Sequence, residues 1–433
     1  MKLTRRSFIA ASTASLALPN LATASTTKLV AEPVSAQLLP PGANATPSLG
    51  FNGSTPGPVL RVKKGAELSV AFENNISEPT SIHWHGIRLQ NRMDGVPDLT
   101  QRAVQPNGQF DYRFVAPDAG TFWYHSHNRS WEQVARGLYG PLIVEEENPP
   151  QVDHDIIVQI DDWLFNRDGT LYESFGDRHE MSHAGRIGNF VRAIPSVEQV
   201  KRKDRVRLRL INVATARVFP LRLKGVEGKI VALDGMPLAE PRPIEDLLLA
   251  PAQRIDIIAD VIHEIDFLMP EFLKAYSLGF ITVEGENKNP IKTPITRLEA
   301  NEIETPDLDG SEPVLLALQG GAMGGRHRGD DIWSFNGISG LADEPFLRLR
   351  RGQTAKILIS NDTAFPHGMH LHGHHFYELN QDGSLGDLRD TTYLDPDEEK
   401  VIVCVFDNPG NWLFHCHMLG HQASGMKTWI EVT

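Results

Sequence analysis

Four histidine clusters of this chain each contain a His-x-His pair, at His83/His85, His125/His127, His370/His372 and His415/His417, and these pairs lie inside a repeat. The run Asp118-Ala119-Gly120-Thr121-Phe122-Trp123-Tyr124-His125-Ser126-His127 matches Asn408-Pro409-Gly410-Asn411-Trp412-Leu413-Phe414-His415-Cys416-His417. His83-Trp84-His85-Gly86 matches His370-Leu371-His372-Gly373, at a nearly equal distance upstream. The N-terminal and C-terminal parts are therefore copies of one unit, each bringing two pairs. Side chains alternate along a strand, so both imidazoles of a pair share one face. Pairs from both copies reach a common centre only if the two copies pack together.

The fourth pair encloses a cysteine. His415 and His417 take one face and Cys416 the other, so three consecutive residues serve two metal centres joined by a short covalent path. Cys416, His421 and a distant histidine make a trigonal site, with Met426 as a long axial ligand; this is the ligand set of a blue-copper electron-transfer centre. The chain has seventeen histidines. The eight imidazoles of the four pairs are too many for one ion and about right for three, which leaves His367 and His421 for the thiolate site. Thiolate and thioether beside an all-imidazole cluster favour copper over the hard ions. Zinc, usually four-coordinate, does not need so many histidines.

With these four clusters the chain resembles the multicopper oxidases, the family of laccases, bilirubin oxidases and bacterial cuprous oxidases. The resemblance runs over nearly the whole mature chain, and no ligand position is missing. Carried over position by position, it implies four copper ions. Cys416, His367 and His421, with Met426 axial, resemble the type 1 ligands. His83 and His370 resemble the type 2 ligands. His85, His125, His127, His372, His415 and His417 resemble those of the type 3 pair. The implied activity is one-electron oxidation of a reductant at type 1, coupled to four-electron reduction of O2 to water at the other three ions.

The mature chain reads as all-β. Short runs rich in Val, Ile, Leu and Phe alternate with Gly, Pro, Asn and Asp, as in Leu68 to Phe72, Val206 to Ile211 and Lys356 to Ile359. Helical signal is weak, with one candidate turn at Ser130 to Arg136. A fainter third copy lies in the middle, where Leu208 to Asn212 echoes Ile357 to Asn361 and the histidine positions hold other residues. Three cupredoxin-like Greek-key β-sandwich domains are expected, at 25–148, 153–300 and 312–433. The middle one is a spacer without copper. Linkers fall at Glu147 to Asp153 and Ala300 to Pro313.

Residues 1–24 read as a twin-arginine signal peptide, with Arg5-Arg6-Ser7-Phe8, a weakly apolar stretch and the small-residue site Ala22-Thr23-Ala24. The apolar stretch is too short and polar for a membrane span. The expected location is the periplasm. Net charge is −13, with no long basic run, which argues against nucleic acid or anionic membrane as partners. The expected partners are O2 and a small-molecule or metal-ion reductant, and the expected state is a monomer. Of two cysteines, Cys404 sits in an apolar strand run and reads as a core thiol, so no disulfide framework is implied.

Forming water consumes four protons, so acids near the cluster matter. Asp94 resembles a carboxylate that bacterial family members place near the type 2 copper, and it is the candidate proton relay. Many of those members carry Glu directly after the second type 1 histidine; here Gln422 stands there, and an amide has no titrating proton to deliver. His374 and His375 read as supporting residues rather than ligands. Electrons are expected to enter at an exposed edge of His421 or His367, with Asp390 in Arg389-Asp390-Thr391 as a candidate for binding the reductant. The loop Gly320 to Asp331 is a weaker candidate for metal uptake, and a flexible linker is the plainer reading. Three classes of function stay open: a laccase-type oxidase of phenols and aromatic amines, a metal oxidase for Cu(I), Fe(II) or Mn(II), and a non-catalytic copper store or cell-division scaffold.

Overall fold

Helix among the described residues is confined to three short pieces, α1 (Ser130–Gln133), α2 (Arg178–Ser182) and α3 (Leu419–Ala423), with one 3-10 turn at Asn91–Met93. The rest of the ordered secondary structure is strand, as the sequence predicts. The computed structural model of the chain describes residues 26–271, 274–309, 312–322 and 332–433. The expected signal peptide and Met323, His327, Asp330 and Asp331 lie outside the described residues.

The N-terminal strands form two four-stranded sheets. One contains Leu60–Lys63, Tyr139–Glu145, Gly120–Ser126 and Ile82–His85, in that order across the sheet. The C-terminal strands form a six-stranded and a five-stranded sheet. In the five-stranded sheet, Gly410–Cys416 lies beside His367–Leu371, repeating the juxtaposition of Gly120–Ser126 and Ile82–His85. The middle strands, from His154–Trp163 to Lys274–Glu286, make one nine-stranded sheet, in which Phe219–Leu233 and Arg254–Glu271 are long enough to run from one layer to the next. The apolar core of the N-terminal strands is continuous with that of the C-terminal strands, whereas the middle unit has its own. The two histidine-bearing copies thus pack directly on one another, as convergence of their pairs requires.

The threefold repeat has a physical signature at Asn74, Asn212 and Asn361, each buried at the end of a strand. Each side-chain amide donates to two backbone carbonyls: Glu78 and Val104 for Asn74, Arg217 and Leu249 for Asn212, Phe365 and Asp395 for Asn361. Each side-chain oxygen accepts the N–H two residues on, from Ile76, Ala214 and Thr363. The same corner is built three times. Replacing Asn212 by Ala leaves three buried backbone groups without partners, and unfolding in denaturant should show a loss of about 2–4 kcal/mol.

The first and middle units meet at a buried acid. The Tyr139 hydroxyl donates to Asp161 Oδ2 at 2.6 Å. Burial pushes the Asp161 carboxyl up from its ordinary value of 3.8 to about 8, with the neighbouring Asp162 charge adding to the rise and the Tyr139 hydrogen bond opposing it. Between those two pH values the folded chain holds a proton that the unfolded chain releases. Stability from this group is therefore full below about pH 4 and is lost as pH rises through about 8, with a slope of at most about 1.4 kcal/mol per pH unit. Asp161→Asn keeps an oxygen acceptor for Tyr139 and removes the titration. Its melting temperature should gain on the native chain as pH rises through that window, and parallel curves would contradict the assignment.

Candidate metal centre

Strand register places the four histidine pairs. His83 lies opposite His125, and His370 lies opposite His415, on neighbouring antiparallel strands. The alternate residues, Ile82 and Trp84 in one copy and Met369 and Leu371 in the other, point into the apolar core. Cys416 faces Met369 across the ladder and so lies on the side away from His415. The residues past the strand ends are held in the same way in both copies: His127 N–H donates to the Ser81 carbonyl, and His417 N–H to the Gly368 carbonyl.

The glycine after each upstream pair is required. Gly86 and Gly373 have φ of +83° and +66°. A Cβ on Gly86 would lie 2.5 Å from Arg254 Nη2 and Asp390 Oδ2, and one on Gly373 would lie 2.3 Å from the Trp412 ring.

Among the described residues, five groups of three side chains bring ligand atoms within 4.8 Å of one another: His83/His85/His370, His85/His125/His417, His127/His372/His415, His367/Cys416/His421 and His83/Asp94/His372. All of these residues are buried. The outward ring nitrogens fix the tautomers, because a carbonyl or carboxylate partner must accept the N–H. His83 Nδ1 donates to the Asp94 carbonyl and His372 Nδ1 to Asp94 Oδ2, both at 2.9 Å. His85 Nε2 donates to Asp390 Oδ1 at 3.2 Å and His370 Nδ1 to the Asp390 carbonyl at 2.9 Å. His125 Nδ1 and His415 Nδ1 donate to the carbonyls of Ser126 and Cys416. The inward nitrogens carry the lone pairs. Those of His83, His85, His125, His127, His370 and His417 have no hydrogen-bond partner in the protein. His372 Nε2 and His415 Nε2 face each other at 3.0 Å with no hydrogen between them. Converging lone pairs repel unless a cation lies among them, so the residues fit a metal cluster.

The thiolate site follows the same logic. His421 Nε2 donates to the His183 carbonyl at 2.6 Å, and His367 Nε2 meets Thr363 Oγ1 at 2.9 Å. Their Nδ1 atoms lie 3.1 Å apart, at 3.5 Å and 3.7 Å from Cys416 Sγ. Met426 is buried beside them, its carbonyl accepting from Cys416 N and its N–H donating to the His421 carbonyl. Burial pushes the His421 imidazole down to about 4 and the Cys416 thiol up to about 12. The imidazoles are therefore neutral ligands at neutral pH, and a bound ion must displace the thiol proton.

The N-terminal copy holds a hydrogen-bonded counterpart of this site. Thr80 and Ser126 stand where the second copy has His367 and Cys416, and their hydroxyls lie 3.1 Å apart. Ser126 Oγ also bonds Gln133 of α1, and Ser126 N–H donates to the Leu138 carbonyl as Cys416 N–H does to that of Met426. Oxygen donors replace the soft ligand set at these positions.

Asp94 is buried between His83 and His372, with Oδ1 at 3.2 Å from His83 Nδ1. Gln422 is in α3 and accepts from Ser130 Oγ of α1 at 3.1 Å, tying the first copy to the third unit. His374 packs against Trp412, and its Nε2 accepts from Asn408 N at 3.3 Å. Cys404 is a buried free thiol.

Two expectations are corrected. Asp390 is not a surface residue for a reductant. It is fully buried, bonded to His85 and through its carbonyl to His370, and paired in bidentate fashion with Arg254, whose Nη1 and Nη2 lie 2.8 Å and 2.6 Å from its carboxylate oxygens. Arg254 comes from the middle unit, so this unit does more than space the other two. The second correction concerns His421 and His367, which have no exposed edge; both are fully buried. Sequence reasoning missed Arg254 and His183 because both reach the site across unit boundaries, where no spacing signals them.

Three family models described as multicopper oxidase match the chain, over residues 34–149, 123–269 and 307–433. Among solved structures, the chain is similar to Lac15 from a marine microbial metagenome, with 55% identity, 94% of this chain and 100% of that chain covered, and a TM-score of 0.82. It is also similar to a multi-copper oxidase from Pseudomonas Thermotolerans, with 33% identity, 94% and 99% coverage and a TM-score of 0.85. A third relative is the multicopper oxidase MmcO of Mycobacterium tuberculosis, 29% identical over 90% of this chain and 84% of that protein.

Proposed function

The chain belongs to the multicopper oxidase family, and from that premise we propose that it oxidises phenolic and aromatic one-electron reductants of laccase type while reducing O2 to water. Four reductant molecules lose one electron each, and one O2 with four protons becomes two waters. Copper supplies the one-electron chemistry when bound. We assign four ions: one to His367, Cys416, His421 and Met426, one to His83 and His370, and two to His85, His125, His127, His372, His415 and His417. The observation that carries this reading is the convergence of imidazole lone pairs from both copies, with the outward N–H of His83, His85, His125, His370, His372 and His415 already committed.

In this reading His415 and His417 link the two sites through Cys416. Asp94 orients His83 and His372 and supplies the proton path, since Gln422 holds Ser130 and has no proton to give. Asp94→Asn should lower O2 turnover about 10²-fold with the blue absorption intact; normal turnover in steady-state oxygen uptake would remove Asp94 from the proton path.

A second reading, a metal oxidase for Cu(I), Fe(II) or Mn(II), is favoured by the burial of His421, whose Nε2 hydrogen bond goes to protein rather than to a phenol. Oxygen uptake by the copper-loaded chain separates the two. Uptake with 2,6-dimethoxyphenol under a Cu(I) chelator, at four electrons per O2 and without peroxide, supports the first. Uptake with Cu(I) alone supports the second. We further propose export to the periplasm by the twin-arginine route, on the Arg5-Arg6 segment, and a monomeric state. No helix among the described residues is long and apolar enough to cross a membrane.

A further inference from the structure

We propose that residues 172–188, given by the middle unit, form a fixed cover over the type 1 site and set which reductants it accepts. This rests on the assignment of His367, Cys416 and His421 to that site.

The cover is docked through consecutive carbonyls. Met181 O accepts from Trp333 Nε1 at 2.7 Å and from Ser424 Oγ at 3.3 Å. Ser182 O accepts from Ala322 N at 2.8 Å, and His183 O accepts from His421 Nε2 at 2.6 Å. All four hydrogens come from the C-terminal unit, so the strip from 181 to 183 is fitted to it. Trp333 closes the other side, its ring 4.2 Å from that of His421. Met181 Sδ lies against Gly420 of α3, where a Cβ would come within 3.3 Å.

A latch holds the cover in shape. Arg186 Nη1 lies 2.9 Å and 3.1 Å from the two Glu180 oxygens and 2.7 Å from Ser174 Oγ, and its Nη2 bonds the Tyr172 carbonyl. The guanidinium also sits 4.2 Å over the Phe175 ring. Its side chain is only 9% exposed. Asp177 caps α2 by accepting from His179 N. One side chain thus ties together both ends of the segment.

The consequence is chemical. A phenol that docks on the type 1 site by accepting the His421 Nε2–H needs that N–H free, and it is given to the His183 carbonyl. What stays open is electron transfer through the His183 carbonyl hydrogen bond to His421, from a reductant in contact with the outer face of the cover. There the His183 and His179 rings lie 3.9 Å apart, and His183 packs edge-on against Phe365, which packs against Trp333. Such outer-sphere transfer moves one electron, leaves the reductant oxidised by one unit and transfers no proton to His421. Anionic metal complexes and ionised phenolates meet that requirement directly; a neutral phenol reacts more slowly, because it must also give its proton to solvent.

The test uses the copper-loaded full chain, with ferrocyanide and 2,6-dimethoxyphenol below its ionisation as probes. Native chain, Arg186→Ala and the milder Glu180→Gln are compared in two readouts. The first is backbone hydrogen exchange across residues 172–188, mapped by mass spectrometry. In the native chain the Met181 and His183 amides, bonded to the Asp177 and His179 carbonyls, should be protected, and either variant should raise their exchange rate by about 10-fold as the cover opens. The second is the ratio of kcat/KM for the phenol to that for ferrocyanide, which should rise by about 10-fold in the same variants. Blue absorption with these amides unprotected in the native chain overturns the cover alone. So do unchanged exchange and ratio in both variants when each folds. Absence of blue absorption overturns the type 1 assignment, and the cover with it.

Discussion

Cys416→Ser should abolish the blue absorption and bring reductant-driven oxygen uptake to background, with the fold intact. Serine matches cysteine in shape, and the site is fully buried, so the strand and its ladder to Met369 survive. A serine hydroxyl is a hard, neutral donor that does not ionise at neutral pH, whereas the thiolate is the soft ligand the site is built around. His367 and His421 alone then hold copper poorly. The other three groups of imidazoles share no side chain with this one. The variant should therefore keep three coppers per chain, and reduced variant should still react with O2 while failing to take electrons from a reductant. The N-terminal copy already shows the outcome in another form: with Ser126 and Thr80 at these positions, hydroxyl hydrogen bonds replace the ligand set.

Arg254→Ala should cost about 3–5 kcal/mol and weaken copper retention. Arg254 is fully buried and comes from the middle unit. It holds Asp390 of the third unit in a bidentate pair and donates to the carbonyls of Thr121 and Asp234. Asp390 in turn holds His85 of the first unit and His370 of the third. Removing the guanidinium leaves a buried carboxylate without its charge partner, at the point where three units meet, and beside two ligands whose orientation depends on it. Arg254→Lys restores the charge but not the planar fork, and should recover only part of the loss. Thermal unfolding and metal content of the three proteins, compared side by side, check this. Wild-type stability in Arg254→Ala would show that the network is incidental.

The all-β class and the convergence of the histidine pairs were legible in the chain because both follow short-range rules. The His-x-His alternation maps onto strand faces, and the repeat of 118–127 in 408–417 places like residues in like positions. The three asparagine corners were partly legible, since Asn212 and Asn361 end matching runs; Asn74 was not noticed. Asp390 was misjudged because Arg389-Asp390-Thr391 was read by its resemblance to a laccase segment near the type 1 site, and a resemblance of three residues carries no sign of burial. Its burial depends on Arg254, far away in sequence, and on Gly86, which leaves room for both side chains. The cover over His421 was not legible at all. Residues 172–188 have no period and no ligand spacing, and they act through backbone carbonyls, which no side-chain pattern reveals. Their place was taken in the sequence reading by an expected exposed histidine edge, the plain inference when only ligand positions are known.

The proposed assignment gives one chain a thiolate copper site and a three-copper site, built by the two copies together. Metal analysis of the fully loaded native chain beside Cys416→Ser tests it most directly. The account predicts four coppers per native chain and three in the variant, with the blue absorption lost along with the fourth. Equal copper in the two proteins, or one or two coppers in the native chain, would contradict it.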